Sequence, residues 1–178
     1  MTTPDIEVSP NPATFDNRSF RHVLGHYPTG VCVITSVDSG GTPVGMVVGT
    51  FNSASLDPPL VCFFPDRRSA SWNKISTATH FCVNVLAGDQ VEMCHRFSAR
   101  SDDKFAGLNY RFTPHGTPVL PQVLAWIECR LHETSPVGDH DLAVGYVLDM
   151  GIERATTPLL FFQSGFGDFS HHAIANDE

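Results

Sequence analysis

Within six residues, Arg67-Arg68-Ser69-Ala70-Ser71-Trp72 brings together two guanidinium groups, two hydroxyls and the start of a short helix. That set suits a phosphate group. A solvated basic loop with an ordinary serine cap has the same composition, so position must decide between the two. Further along, Gly138-Asp139-His140 sets an acid beside an imidazole at a turn that glycine permits. An exposed turn reads the same way. Upstream, Thr42 to Leu60 begins as a strand and ends as a polar loop closed by Pro58 and Pro59. Side chains alternate across a strand, which puts Gly45, Val47 and Gly49 on one face and Met46, Val48 and Thr50 on the other. The first face is almost bare. Strand glycines mark a bulge, a barrel corner or a close approach to the backbone, and a flat aromatic cofactor is one body that needs such an approach. Asn52 to Ser55 then offer hydroxyls, an amide and free backbone N–H groups.

These groups need a frame. Phe15 to His26 reads as a short helix with Asp16 as its N-cap, ended by Gly25 and Pro28. Val31 to Val37 is a β-branched strand, and Asp38-Ser39-Gly40-Gly41 turns it into the glycine strand. Strands are expected at 60–64 and 80–86, with short helices at 70–77 and 89–97, and a charged loop from Ser98 to Gly107. Leu124 to Glu133, Asp141 to Glu153 and Leu159 to Gln163 also read as extended. Many strands with few short helices predict a mainly β, closed or split barrel. If the strand at 60–64 neighbours the glycine strand, the Arg-Ser loop lies at one end of the bare surface. A flat ring with a phosphate tail describes a flavin nucleotide.

Other chemistries find less support. His22 and His26 share a helical face, but no third metal ligand is suggested nearby. The five cysteines, Cys32, Cys62, Cys82, Cys94 and Cys129, form no C-x-x-C pair and sit mostly among apolar neighbours, as buried thiols of a reducing compartment do. Cys94, beside His95, is the least firmly excluded as a nucleophile. P-loop and Rossmann fingerprints are absent, and no Ser-His-Asp arrangement is legible. A net charge of -8 argues against a general nucleic-acid binder and against docking on anionic membranes. No apolar run is long enough to span a bilayer and no signal pattern opens the chain, so the expectation is one soluble, cytoplasmic domain of 178 residues. Residues 1–14 are expected to form a flexible arm, 15–170 the folded domain and 171–178 a tail.

From Phe20 to Asp168 the sequence resembles the short-chain flavin reductases. The resemblance rests on Phe20-Arg21, Pro28-Thr29-Gly30-Val31, Pro43-Val44-Gly45-Met46 and the run from Ser53 to Val61 through Asp57-Pro58-Pro59. It continues in Phe81 to Leu86, Lys104-Phe105-Ala106-Gly107, Gly138-Asp139-His140 and Pro158 to Phe162. It implies a Greek-key split β-barrel of the FMN-binding type, a homodimer with flavin at or near the subunit interface. It also implies hydride transfer from NADH or NADPH to FMN or FAD, and delivery of reduced flavin to a partner monooxygenase. By position, Gly45, Met46, Val47, Val48, Gly49 and Thr50 are expected along the flavin ring, and Arg67, Ser69, Ser71 and Trp72 around its phosphate. Gly138, Asp139 and His140 are expected on the nicotinamide nucleotide, with Phe166 near the same pocket. No catalytic nucleophile and no metal are implied. Val47-Val48-Gly49-Thr50 stands where relatives often carry Thr and Ser, and Phe166 where an aromatic with a hydroxyl is common. A flavin carrier and a split-barrel oxidase acting on a small substrate are the alternative readings.

Overall fold

Turn residues at short intervals divide the β-branched and aromatic runs into twelve strands and three short helices among residues 16–101 and 103–171, the part of the chain described by the computed structural model. In chain order these are α1 (Asn17–Leu24), β1 (Thr29–Gly30), β2 (Cys32–Val37), β3 (Pro43–Val48), β4 (Asn52–Leu56), β5 (Pro59–Phe63), α2 (Ala70–Ile75) and β6 (His80–Val85). There follow α3 (Val91–Ser98), β7 (Arg111–Phe112), β8 (Pro118–Val119), β9 (Ala125–Val137), β10 (His140–Ile152), β11 (Leu160–Phe162) and β12 (Gly165–Gly167). The expected arm at 1–14 and nearly all of the expected tail lie outside the described residues.

Local chemistry sets the boundaries. Asp16 caps α1 by accepting the Ser19 N–H at 2.7 Å, and Ser69 caps α2 by accepting the Trp72 N–H at 3.2 Å. Asp38 Oδ1 accepts from the N–H groups of Gly40 and Thr42, each at 3.0 Å, which closes the β2–β3 turn. At the tip of the β9–β10 hairpin Gly138 takes φ +61°, the left-handed backbone that the turn requires.

Seven strands pair antiparallel in the order β3-β2-β6-β9-β10-β5-β4. The two edge strands, β3 and β4, are consecutive in the chain and joined only by Gly49, Thr50 and Phe51. The sheet must therefore curl until its edges meet at that link, and because β3 and β4 do not pair there the barrel is split. A separate sheet, β1-β11-β12, lies at the side.

Alternation explains the core. Ile34, Met46, Phe63, Trp72, Phe81 and Val83 fill the barrel, while Val33, Cys82, Phe97, Leu120 and Leu159 build a second layer beneath α3. Strands β2 and β6 are buried on both faces, which is why Val31 to Ile34 and Phe81 to Val83 read as unbroken apolar runs. Each large side chain so buried contributes about 1.5–3 kcal/mol.

Asn52 to Ser55, expected as a loop, are strand β4. Their polarity follows from β4 being a mostly exposed edge strand, with β5 as its single partner. The two- and three-residue strands β1, β7, β8 and β12 carry no readable alternation and were not expected. No described helix is long and apolar enough to cross a membrane.

Candidate functional site

Two clefts meet at Ser98, the last residue of α3. One, of about 340 Å³, is apolar, with Val47, Val48 and Gly49 of the β3 end opposite Phe161 and Phe166. The other, of about 870 Å³, is polar and cationic, lined by Arg68, Ser69, Ser71, Arg100, Ser101 and Lys104. A narrower cleft along Pro43 to Gly45 adjoins the second through Ser71 and Lys104.

The glycine face of β3 is only partly open. A Cβ on Gly45 would stand 2.6 Å from Phe97 Cε1, so the ring of Phe97 already covers the backbone there. This corrects the expectation of a bare face running from residue 45 to 49, since α3 packs over its first half. The open part is the Val47–Gly49 end, where a Cβ on Gly49 would come 3.0 Å from Thr29 Oγ1. Met46 and Val48 point into the barrel. The Thr50 hydroxyl accepts the Phe64 N–H at 2.9 Å and so ties the β3–β4 link to β5. What this stretch presents to the apolar cleft is Val47 and backbone.

At the phosphate-like loop, Ser69 and Ser71 lie in the polar cleft with Arg68, whereas Arg67 turns away, its Nε 3.4 Å from Asp141 Oδ1. Trp72 is 1% exposed and belongs to the barrel core, its indole N–H donating to Asp141 Oδ2 at 2.8 Å. Arg68 is not a bare cation: its Nε and terminal nitrogen bond the two oxygens of Asp66 at 3.1 and 2.9 Å. Those bonds draw the Asp66 carboxyl down to about 2.

Arg100, Ser101 and Lys104 join the cleft from the loop after α3, nearly thirty residues away in sequence, and no local spacing signals them. Lys104 Nζ donates to the carbonyls of Phe97 at 2.7 Å and Gly45 at 3.3 Å and reaches Ser71 Oγ at 3.5 Å. No carboxylate among the described residues is ion-paired with it, and burial lowers its pKa. Arg96 fixes the loop by donating from Nε to the Lys104 carbonyl at 2.7 Å.

Gly138-Asp139-His140 forms the tip of the β9–β10 hairpin. His140 Nδ1 is 2.7 Å from Asp139 Oδ1, and this hydrogen bond is the main cause holding the Asp139 carboxyl below its ordinary range. The tip docks on the loop before α2: residues 66 and 140 bridge, and the Arg67 N–H donates to the Asp139 carbonyl at 3.2 Å. Phe166 sits elsewhere, at the apolar cleft, with its ring 5.4 Å from Phe161 and 5.5 Å from His95. Within one chain Phe166 lines the apolar cleft whereas His140 does not, because one lies on the outer strand of the small sheet and the other tips a hairpin of the large one. His22 and His26 stack edge to face at 5.1 Å, and no metal-type cluster of three is present among the described residues. All five thiols are free, and burial pushes those of Cys32 and Cys82 up to about 12.

An apolar slot for a planar ring, opening onto lysine, arginine and serine side chains, has the donor set that a flavin nucleotide requires. The unpaired outer edges of β3 and β4 add backbone N–H groups.

Known proteins resemble this chain in sequence and in fold. The sequence matches the model of the flavin reductase like domain over residues 24–170. It is 48% identical over 158 residues to a flavin reductase of Pseudomonas putida, covering 89% of this chain and 93% of that one. It is 44% identical to the reductase subunit HsaB of a flavin-dependent monooxygenase of Rhodococcus jostii, covering 85% of this chain and 77% of the relative. The fold superposes with a TM-score of 0.83 on the Streptomyces globisporus NADH:FAD oxidoreductase SgcE6, solved with NAD and FAD fragments, at 30% identity over 89% of this chain and 96% of that one. With its clefts, its split barrel and 147 of its positions accounted for by one domain description (residues 24–170), this chain belongs to the flavin reductase like family.

Proposed function

We propose that the protein is an NAD(P)H-dependent flavin reductase that supplies reduced flavin to a partner monooxygenase. The observation that carries this reading is the junction at Ser98 of an apolar slot with a cationic, hydroxyl-lined cleft. When bound, flavin supplies the ring that accepts hydride from the nicotinamide. The chain's own work is binding, orientation and exclusion of water. Val47 and the backbone of Val48 and Gly49 form the floor of the slot, and Phe161 and Phe166 its far wall. Ser69, Ser71, Arg100 and Lys104 hold the phosphate end. Edge N–H groups of β3 and β4 stabilise negative charge at the polar rim of the ring. Asp139 fixes the His140 ring through Nδ1 and leaves Nε2 to orient the nicotinamide nucleotide.

We infer a homodimer, which covers apolar surface that one chain leaves exposed at Val23, Leu24 and Tyr27 and at Met150 and Ile152. Five free thiols suit a cytoplasmic setting.

The test is steady-state NADH and NADPH oxidation by flavin-stripped protein, with and without FMN or FAD. Turnover that rises and saturates with free flavin supports the reductase and names its substrates. Flavin binding with no oxidation of either nucleotide rejects it in favour of a carrier.

A further inference from the structure

Beside the start of β6 lies a titratable cluster that flavin chemistry leaves unused. Glu128 on β9 is fully buried. The hydroxyls of Thr113 and Thr117 donate to its Oε1, the latter at 3.0 Å, and His115 Nδ1 lies 2.9 Å from its Oε2. All three partners belong to one turn, residues 113–117. The turn closes on itself through Thr113 N–H to the Thr117 carbonyl and Thr117 N–H to Thr113 Oγ1, both at 2.9 Å. A single carboxylate therefore anchors the whole turn.

Against His115 lies the half-buried ring of His80, with centroids 4.9 Å apart and planes tilted by 30°. Arg130 faces His80 across the β6–β9 ladder, and Cys82 faces Glu128. Arg111 of β7 and the buried thiol of Cys129 complete the charged and titratable neighbours on the barrel side. Asp38, 3.8 Å from Lys74, stands on the solvent lip of the cleft that both histidines line. Neutral His80 stacks here without cost. A charged His80 would set a cation against His115 and Arg130, with Glu128 acting the other way.

We propose that His80, His115 and Glu128 form an acid-released latch: neutral His80 braces His115 on the carboxylate, and a proton on His80 breaks the brace and frees the 113–117 turn. Burial is the largest cause holding His80 below the ordinary histidine value, followed by His115; Glu128 opposes the shift and Arg130 adds to it. With the folded pKa below the unfolded one, the brace is complete above about pH 6.5 and is lost as pH falls through the His80 pKa. Burial by itself would raise Glu128, but its bonds from Thr113, His115 and Thr117 outweigh that and keep it ionised through this range. Release stays local. The next segment is pinned separately, by the Leu120 N–H on Asn84 Oδ1 at 2.8 Å and Gln90 Nε2 on the Pro121 carbonyl at 2.9 Å.

Amide hydrogen exchange at about pH 7.5 and about pH 5.5, either side of the ordinary histidine value, tests the latch. After correction for intrinsic rates, the Thr113 and Thr117 amides are expected to lose about tenfold protection or more on acidification while those of Ile34 and Val83 hold. His80→Phe keeps a ring on His115 and carries no proton, so it should retain protection at both pH values. Equal protection of the native turn at both pH values, or the same acid loss in His80→Phe, overturns the proposal. Should that variant not fold, an NMR titration of the native protein decides. Loss of Thr117 protection that tracks the His80 ring signal supports the latch, and a turn unchanged through that titration sinks it.

Discussion

The ring of Phe97 on α3 lies where a side chain at residue 45 of β3 would have to be, 2.6 Å from an ideal Cβ to Cε1. Glycine at 45 is therefore the condition for α3 to seat on the sheet. Gly45→Ala should push the ring aside and destabilise the fold by about 1–3 kcal/mol. A urea unfolding midpoint equal to that of the native protein would refute this.

Lys104 is the cation of the polar cleft whose visible bonds go to carbonyls and a serine hydroxyl. Lys104→Met should weaken FMN binding by about tenfold or more, the worth of one charge-assisted hydrogen bond, and leave riboflavin, which has no phosphate, nearly unaffected. Flavin fluorescence quenching reads both affinities. Equal losses for the two flavins would place Lys104 in support of the backbone alone.

Trp72 couples core to hairpin through its 2.8 Å bond to Asp141. Trp72→Phe keeps an aromatic against Phe63, 5.7 Å away, but strands a partly buried carboxylate oxygen. The expected cost is about 1–2 kcal/mol, with little change in flavin affinity because the ring faces the core. A thermal melt and a binding isotherm on the same variant separate the two effects.

Burial raises the pKa of every thiol for which a shift is resolved, Cys62 and Cys94 among them and Cys32 up to about 12. The thiolate is the reactive form, so a disulfide reagent near pH 8 should label folded protein slowly and reach the half-buried Cys62 first. Unfolding should release all five thiols. Rapid labelling of Cys94 in the folded protein would revive its reading as a reactive group.

His140→Ala should raise the NADH concentration needed for turnover while flavin affinity stays nearly unchanged. Loss of flavin binding with unaltered nicotinamide kinetics would move His140 out of the nucleotide's reach.

Sequence patterning reaches as far as local rules do. The cap at Asp16, the Asp38 turn and the alternation of β3 are each set within a few residues, and each is found where the pattern predicts it. The cover that Phe97 places over Gly45 is not legible, because 52 residues separate the two and only the packing of α3 joins them. A separation of about thirty residues likewise hides Arg100 and Lys104 from the Ser69–Ser71 loop they face. Arg67 and Arg68 are indistinguishable as letters, and it is the placement of Asp66 and Asp141 that sends one into the cleft and the other away. The strand β4 reads as a loop because an exposed edge requires no apolar face.

The three residues Gly49, Thr50 and Phe51 act as the clasp of a hoop. Four Cα steps span at most about 14 Å, so the first and last strands of the large sheet can never part by more than that while the chain is whole. A cut at the Asp38–Gly41 turn would leave the hoop fastened. A cut at residues 49–51 would let the sheet unroll from both ends at once, and an insertion there would widen the gap along which the ring slot opens.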